Sequence, residues 1–158
     1  MEIEITKYIT KLSNSEITSR TSVKLRSILN ICNDLERIGD IYYQISKTLE
    51  SKNENNQYFT PEQRNNLNEM SQLIDQAFAI MNKNLANDHY DEVNKDDAME
   101  IERDINKYRN NLRKNNLSSL GVDGYNVQSA MIYNNIFSSL EKVGDHIINV
   151  TEAVVGEV

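Results

Sequence analysis

The chain has 158 residues, a formal net charge of −7, one Cys, one Pro and five Gly. The acidic balance leaves no basic patch to displace counterions from phosphates, which excludes a nucleic-acid partner. The lone Cys32 rules out an internal disulfide and suits a reducing compartment, and no signal peptide or apolar run long enough to span a bilayer is present.

Scarcity of Gly and Pro, with Asn, Leu, Ile, Lys and Glu abundant, predicts an all-α fold. The first helix runs from Glu2 to Leu12 through Ile5, Tyr8 and Ile9. Asn14-Ser15-Glu16 then interrupts it and offers capping side chains to a long second helix, about Ile17 to Glu50. A polar stretch, Ser51 to Gln57, reads as a linker. Thr60-Pro61-Glu62-Gln63 is a helix start with Thr as N-cap, Pro at the first helical position and Gln three residues after the cap. The third helix follows to about Leu85, and a turn at Asn87-Asp88-His89 leads to a fourth through Ala98, Ile101, Ile105, Tyr108 and Leu112. After Leu120-Gly121-Val122-Asp123-Gly124 comes the fifth.

A five-residue signature occurs twice on this frame, Glu36-Arg-Ile-Gly-Asp40 and Glu141-Lys-Val-Gly-Asp145. Each copy lies in an apolar seam of alternating steps of three and four: Ile28, Ile31, Leu35, Ile38, Tyr42, Ile45 and Leu49, then Tyr133, Ile136, Leu140, Val143, Ile147, Val150 and Val154. The seams match at an offset of 105 (133 − 28), which marks an internal repeat. A second correspondence lays Glu2, Ile5, Lys7, Tyr8 and Leu12 on Glu102, Ile105, Lys107, Tyr108 and Leu112 at an offset of 100 (102 − 2). Helices one and two therefore repeat as four and five. The expected organisation is a first, incomplete bundle over residues 1–52, a linker over 53–59 and a second three-helix bundle over 60–158, with the helix that would open the first bundle missing. That open face predicts self-association, hence a homo-oligomer.

A Gly inside a helix costs roughly 1 kcal/mol relative to Ala, so Gly39 and Gly144 imply close approach of a neighbouring helix or a ligand at both points. Glu36, Asp40, Glu141 and Asp145 lie on the flank of their seams. If short and long helices pack side by side, Glu2 joins the first pair and Glu102 the second, giving two clusters of oxygen donors suited to hard or borderline divalent cations. A lone Glu-x-x-x-Asp is ordinarily solvated surface. His146 is read as solvated rather than as a ligand, and His89 offers nothing. No nucleophile with a base at helical spacing, no Glu-x-x-His pair and no Gly-rich phosphate loop appears, so the chain is not read as an enzyme.

Asp34-Leu-Glu-Arg-Ile-Gly-Asp40, Leu140-Glu-Lys-Val-Gly-Asp-His-Ile-Ile-Asn-Val150 and Lys24-Leu-Arg26 together resemble the PhoU family of phosphate-homeostasis proteins, in particular the PhoU-like region that follows the membrane domain of bacterial sodium/phosphate cotransporters. The resemblance implies tandem three-helix bundles, a cytoplasmic regulatory domain, a phosphate transporter's membrane domain or a signalling protein as partner, and iron, zinc or manganese at Glu36, Asp40, Glu141, Asp145, Glu2 and Glu102. Where the family's shorter helices end the motif in Asp, this chain has Thr6 and Asn106. The alternative is a non-catalytic helical scaffold whose acids are only solvated surface.

Overall fold

A computed structural model describes residues 2–13, 18–87, 93, 95–120 and 126–156. The capping candidates Asn14, Ser15 and Glu16, the turn at Asp88-His89 and the glycine loop 121–125 lie outside the described residues. Five helices account for the rest: α1 (Glu2–Ser13), α2 (Ser19–Glu54), α3 (Pro61–Leu85), α4 (Asp96–Ser119) and α5 (Val127–Val155). The fold is all-helical, and among the described residues no helix is long and apolar enough to cross a membrane.

Helices α2, α3 and α5 start where a side chain satisfies their free amides, whereas Lys95 at the start of α4 gives no side-chain cap. Thr60 accepts from the Gln63 amide at 3.1 Å while Gln63 Oε1 accepts from the Thr60 amide at 3.0 Å, a reciprocal box that fixes the start of α3. Asn126 Oδ1 accepts from the Ser129 amide at 2.9 Å to begin α5, and Thr18 Oγ1 accepts from the Thr21 amide at 3.2 Å to begin α2. Helix α2 runs through Glu54, past the expected end at Glu50, because Ser51 to Glu54 contain no breaker. The chain turns only at Asn56, which takes the left-handed conformation (φ 53°) that Asn tolerates better than most residues. Lys52 then closes the turn, donating to the Gln57 carbonyl at 2.9 Å and lying 4.9 Å from the centre of the Phe59 ring.

Helix α5 is the axis. Its buried set takes in Tyr133, Ile136, Phe137, Leu140, Val143, Gly144, Ile147, Ile148, Val150 and Thr151, and α2, α3 and α4 all pack on it. Ile38 and Ile45 of α2, Met70, Ile74, Ala77 and Met81 of α3, and Ile101 and Ile105 of α4 close one continuous core with it. A smaller aromatic cluster caps one end, where Tyr133 meets Phe137 edge-on at 5.0 Å and Phe59 at 6.2 Å while its hydroxyl accepts from Asn66 Nδ2 at 3.0 Å. Toward the other end, Asn84 of α3 donates to Thr151 of α5 at 3.5 Å, both buried. Helix α1 packs on α2, with Ile9 buried.

The two signature glycines stand in different surroundings. A Cβ on Gly144 would lie 3.1 and 3.3 Å from two methyls of Ile105 on α4 and 3.6 Å from Ile74 on α3, so this glycine lets two helices approach α5 closely. A Cβ on Gly39 would meet nothing within 4 Å among the described residues. The expectation of close approach holds at one glycine and finds no neighbour at the other. Replacing Gly39 by Ala relieves a helix-interior glycine at no steric cost and is expected to stabilise the protein by about 1 kcal/mol, read from urea or thermal unfolding. Gly144→Ala forces Ile105 to move and is expected to fall short of Gly39→Ala by at least about 1 kcal/mol; equal gains at the two sites would mean that α4 does not press on Gly144.

Candidate functional site

The six predicted acids divide by repeat. Glu102 on α4 and Glu141 and Asp145 on α5 are half-buried and lie within electrostatic reach of one another. Their approach follows from the Gly144 contact: once Ile105 sits against the α5 backbone, residues one turn either side of it meet the α5 flank. Glu36 and Asp40 are exposed on α2 and make no hydrogen bond or ion pair among the described residues. Glu2 lies at the start of α1, and its side chain is outside the described set.

Arg109 organises the second cluster. Its Nη2 donates to Glu141 Oε1 and, at 3.4 Å, to Asn106 Oδ1, while Asn106 Nδ2 donates to Glu102 Oε1 at 3.2 Å. Glu102, Asn106 and Arg109 are spaced i, i+4, i+7, one face of α4, so a single turn-by-turn ladder carries two acids, an amide and a guanidinium across the α4–α5 seam. Arg109 Nε is buried without a partner among the described residues. The Asp145 carboxyl is pushed above its ordinary range by burial, then by the charges of Glu141 and Glu102, with His146 and Arg109 pulling it part of the way back.

His146 turns away from these acids. Its Nδ1 is 2.7 Å from Asp34 Oδ1, and Asn149 Nδ2 donates to the same oxygen at 3.1 Å. Asp34 is on α2 and the other two are on α5, so this group clips the long helices of the two repeats together. From the sequence alone His146 reads as solvated, and neither Asp34 nor Arg109 carries a role. The signal for Arg109 was its i+7 spacing from Glu102; Asp34 sits in the first signature segment, but nothing local announces a partner more than a hundred residues away.

Among the described residues, no group of three or more His, Cys, Asp or Glu side chains is arranged to hold a metal ion. In the second cluster the guanidinium of Arg109 stands where a cation would, and a metal at Glu102, Glu141 and Asp145 would have to displace it. No protein-family model matches the chain, and no curated protein or solved structure shows significant similarity to it.

Because the Asp145 carboxyl holds its proton to higher pH when folded than when unfolded, stability falls as pH rises from the unfolded value, about 3.9, through the folded one. Asp145→Asn is therefore expected to stabilise the protein at pH 7, with a gain that shrinks as pH drops through the raised folded value and is gone below about 4, measured by urea unfolding across pH. Arg109→Ala leaves Glu141 without its cation beside Glu102 and Asp145 and, with the pair only partly buried, is expected to cost about 1–2 kcal/mol at pH 7 and less at pH 4. A cost that does not change with pH would assign Arg109 a packing role only.

Proposed function

We propose that this chain is a PhoU-like regulatory module of phosphate homeostasis, non-catalytic and acting at the cytoplasmic face of a sodium-dependent phosphate transporter. The reading rests on one observation above the others: the doubled Glu-x-x-Gly-Asp signature lies on two long helices, α2 and α5, that pack against each other and are clipped by Asp34 and His146. A pair of acidic flanks tied to one helix–helix joint is suited to reporting a change at either flank to the other. In this reading Glu102, Glu141 and Asp145 would be the residues to hold iron, zinc or manganese, and a cation there would take over the charge neutralisation that Arg109 now supplies to Glu141. The oxygen-only donor set, with Asn106 as a neutral member, belongs to the hard end of that metal series.

A second reading has its own support. Arg109 already neutralises Glu141, and Glu36 and Asp40 are exposed and unlinked, as expected of a helical scaffold whose acids keep it soluble.

The two readings separate in cells and in the test tube. Under the regulatory reading, Glu36→Ala/Asp40→Ala or Glu141→Ala/Asp145→Ala releases radiolabelled phosphate uptake from its restraint in phosphate-replete cells. Protein purified without chelator then carries iron, zinc or manganese that the Glu141→Ala/Asp145→Ala variant loses. Uptake control unchanged in both variants, with metal-free folded protein, would leave the scaffold.

A further inference from the structure

The repeat supplies an internal reference for which surfaces of α2 are complete. At 100° per residue, the core-facing line of α2 (Ile31, Ile38, Ile45) lies well round the helix from a second line formed by Ile28, Cys32, Leu35, Gly39, Tyr42 and Ser46. That second line advances in steps of four and three and alternates large with small residues, the pattern of knobs with holes between them. Its counterparts on α5 are Tyr133, Phe137, Leu140, Gly144, Ile147 and Thr151, every one of them buried beneath α3 and α4. On α2 the large residues of the same stripe keep much of their surface exposed, although Cys32 is half-buried and Tyr42 stacks along one side on Phe78 of α3 at 6.4 Å. Ile28, Leu35 and Tyr42 are 44, 40 and 39% exposed, against 2, 5 and 1% for Tyr133, Leu140 and Ile147. Tyr43 is 59% exposed against 9% for its counterpart Ile148.

Charge says what kind of surface would close the stripe. The flank beside it carries Glu36 and Asp40, both exposed, and Asp75 of α3 lies close enough to add to burial in pushing up the Tyr42 phenol. The nearby cation Lys47 is already taken by Glu50 at 2.8 Å. On α5 the equivalent flank, Glu141 and Asp145, is met by Arg109 of the covering helix α4. The residue of α1 that corresponds to Arg109 at the offset of 100 is Ile9, so the equivalent position of α1 carries no cation. A second copy of this chain fits poorly. Antiparallel pairing of two α2 stripes sets like flank against like, bringing the Glu36 and Asp40 carboxylates of one copy to those of the other.

We propose that the open stripe of α2 is the docking surface for an amphipathic helix of a partner protein, one with a leucine- or isoleucine-rich heptad seam and an Arg or Lys placed to meet Glu36 and Asp40, as Arg109 meets Glu141. The inference requires neither a metal nor phosphate, and its outcome is separable from that of the regulatory reading because the titration is run in chelator and without phosphate.

The test uses the whole chain and two stapled three-heptad helices with identical Leu seams, one flanked by Arg and its twin by Glu. Fluorescence anisotropy is expected to show the Arg helix binding about tenfold tighter than the Glu helix. Amide-exchange protection is expected over residues 28–46. Glu36→Lys/Asp40→Lys, two exposed substitutions that leave the core untouched, is expected to reverse the preference, and Leu35→Asp to abolish binding of both helices. Equal affinity for the two helices, protection elsewhere, or no binding overturns the proposal. So does a sedimentation result in which the chain alone forms a dimer that protects residues 28–46, which would give the stripe to a second copy.

Discussion

Nearly half the circumference of α5 is lined with side chains that water solvates poorly, and no single neighbour can cover so wide an arc. Three helices have to surround it, and their positions follow from which part of the arc each one takes. Helix α3 brings Ile74 and Asn84, α4 brings Ile105 against Gly144, and α2 brings Ile38 and Ile45. The polar features inherit their places from this packing. Arg109 reaches Glu141 because Ile105, four residues before it, is pinned to the α5 backbone, and Asp34 reaches His146 because α2 is held along the remaining side.

The two repeats share a pattern and differ in what surrounds it. In the second, the acids are half-buried, Glu141 is paired with Arg109, and Glu141 and Glu102 raise the proton affinity of Asp145; in the first, Glu36 and Asp40 are in water and unlinked among the described residues. The same residue types at the same spacing therefore have different electrostatics, because burial and not identity decides how strongly carboxylates interact. Gly39 and Gly144 make the point without charge. One is a contact surface, and the other is a helix-weakening residue with open space beside it.

Much of this was legible in the sequence, for reasons that are physical. Alternating steps of three and four specify a helix and its apolar face, and the Thr60–Gln63 box is a local interaction that needs no tertiary context. The internal repeat, found by matching apolar positions, identified the acids on α4 and α5 that the fold brings together. What a seam cannot encode is its occupant: Tyr133 and Ile28 satisfy the same pattern, and only the presence of α3 and α4 makes one buried and the other exposed. Long-range polar pairs were equally hidden. Asp34 and His146 are 112 residues apart, and no local rule joins them. Helix α2 ends at Glu54, inside the polar run that reads as a linker, because polar residues without Gly or Pro continue a helix as readily as they leave it.

The pairing of α2 with α5 has a consequence for how the chain is made. Between them in the sequence lie α3 and α4, and α2 cannot bury its core-facing line until α5 has left the ribosome. At typical elongation rates of about 5–20 residues per second, that interval lasts on the order of five to twenty seconds. For that time a 36-residue helix displays two apolar lines at once, one awaiting α5 and the other still open when the fold is complete. Burial of the first long helix, and with it completion of the fold, is thus gated by the arrival of the fifth.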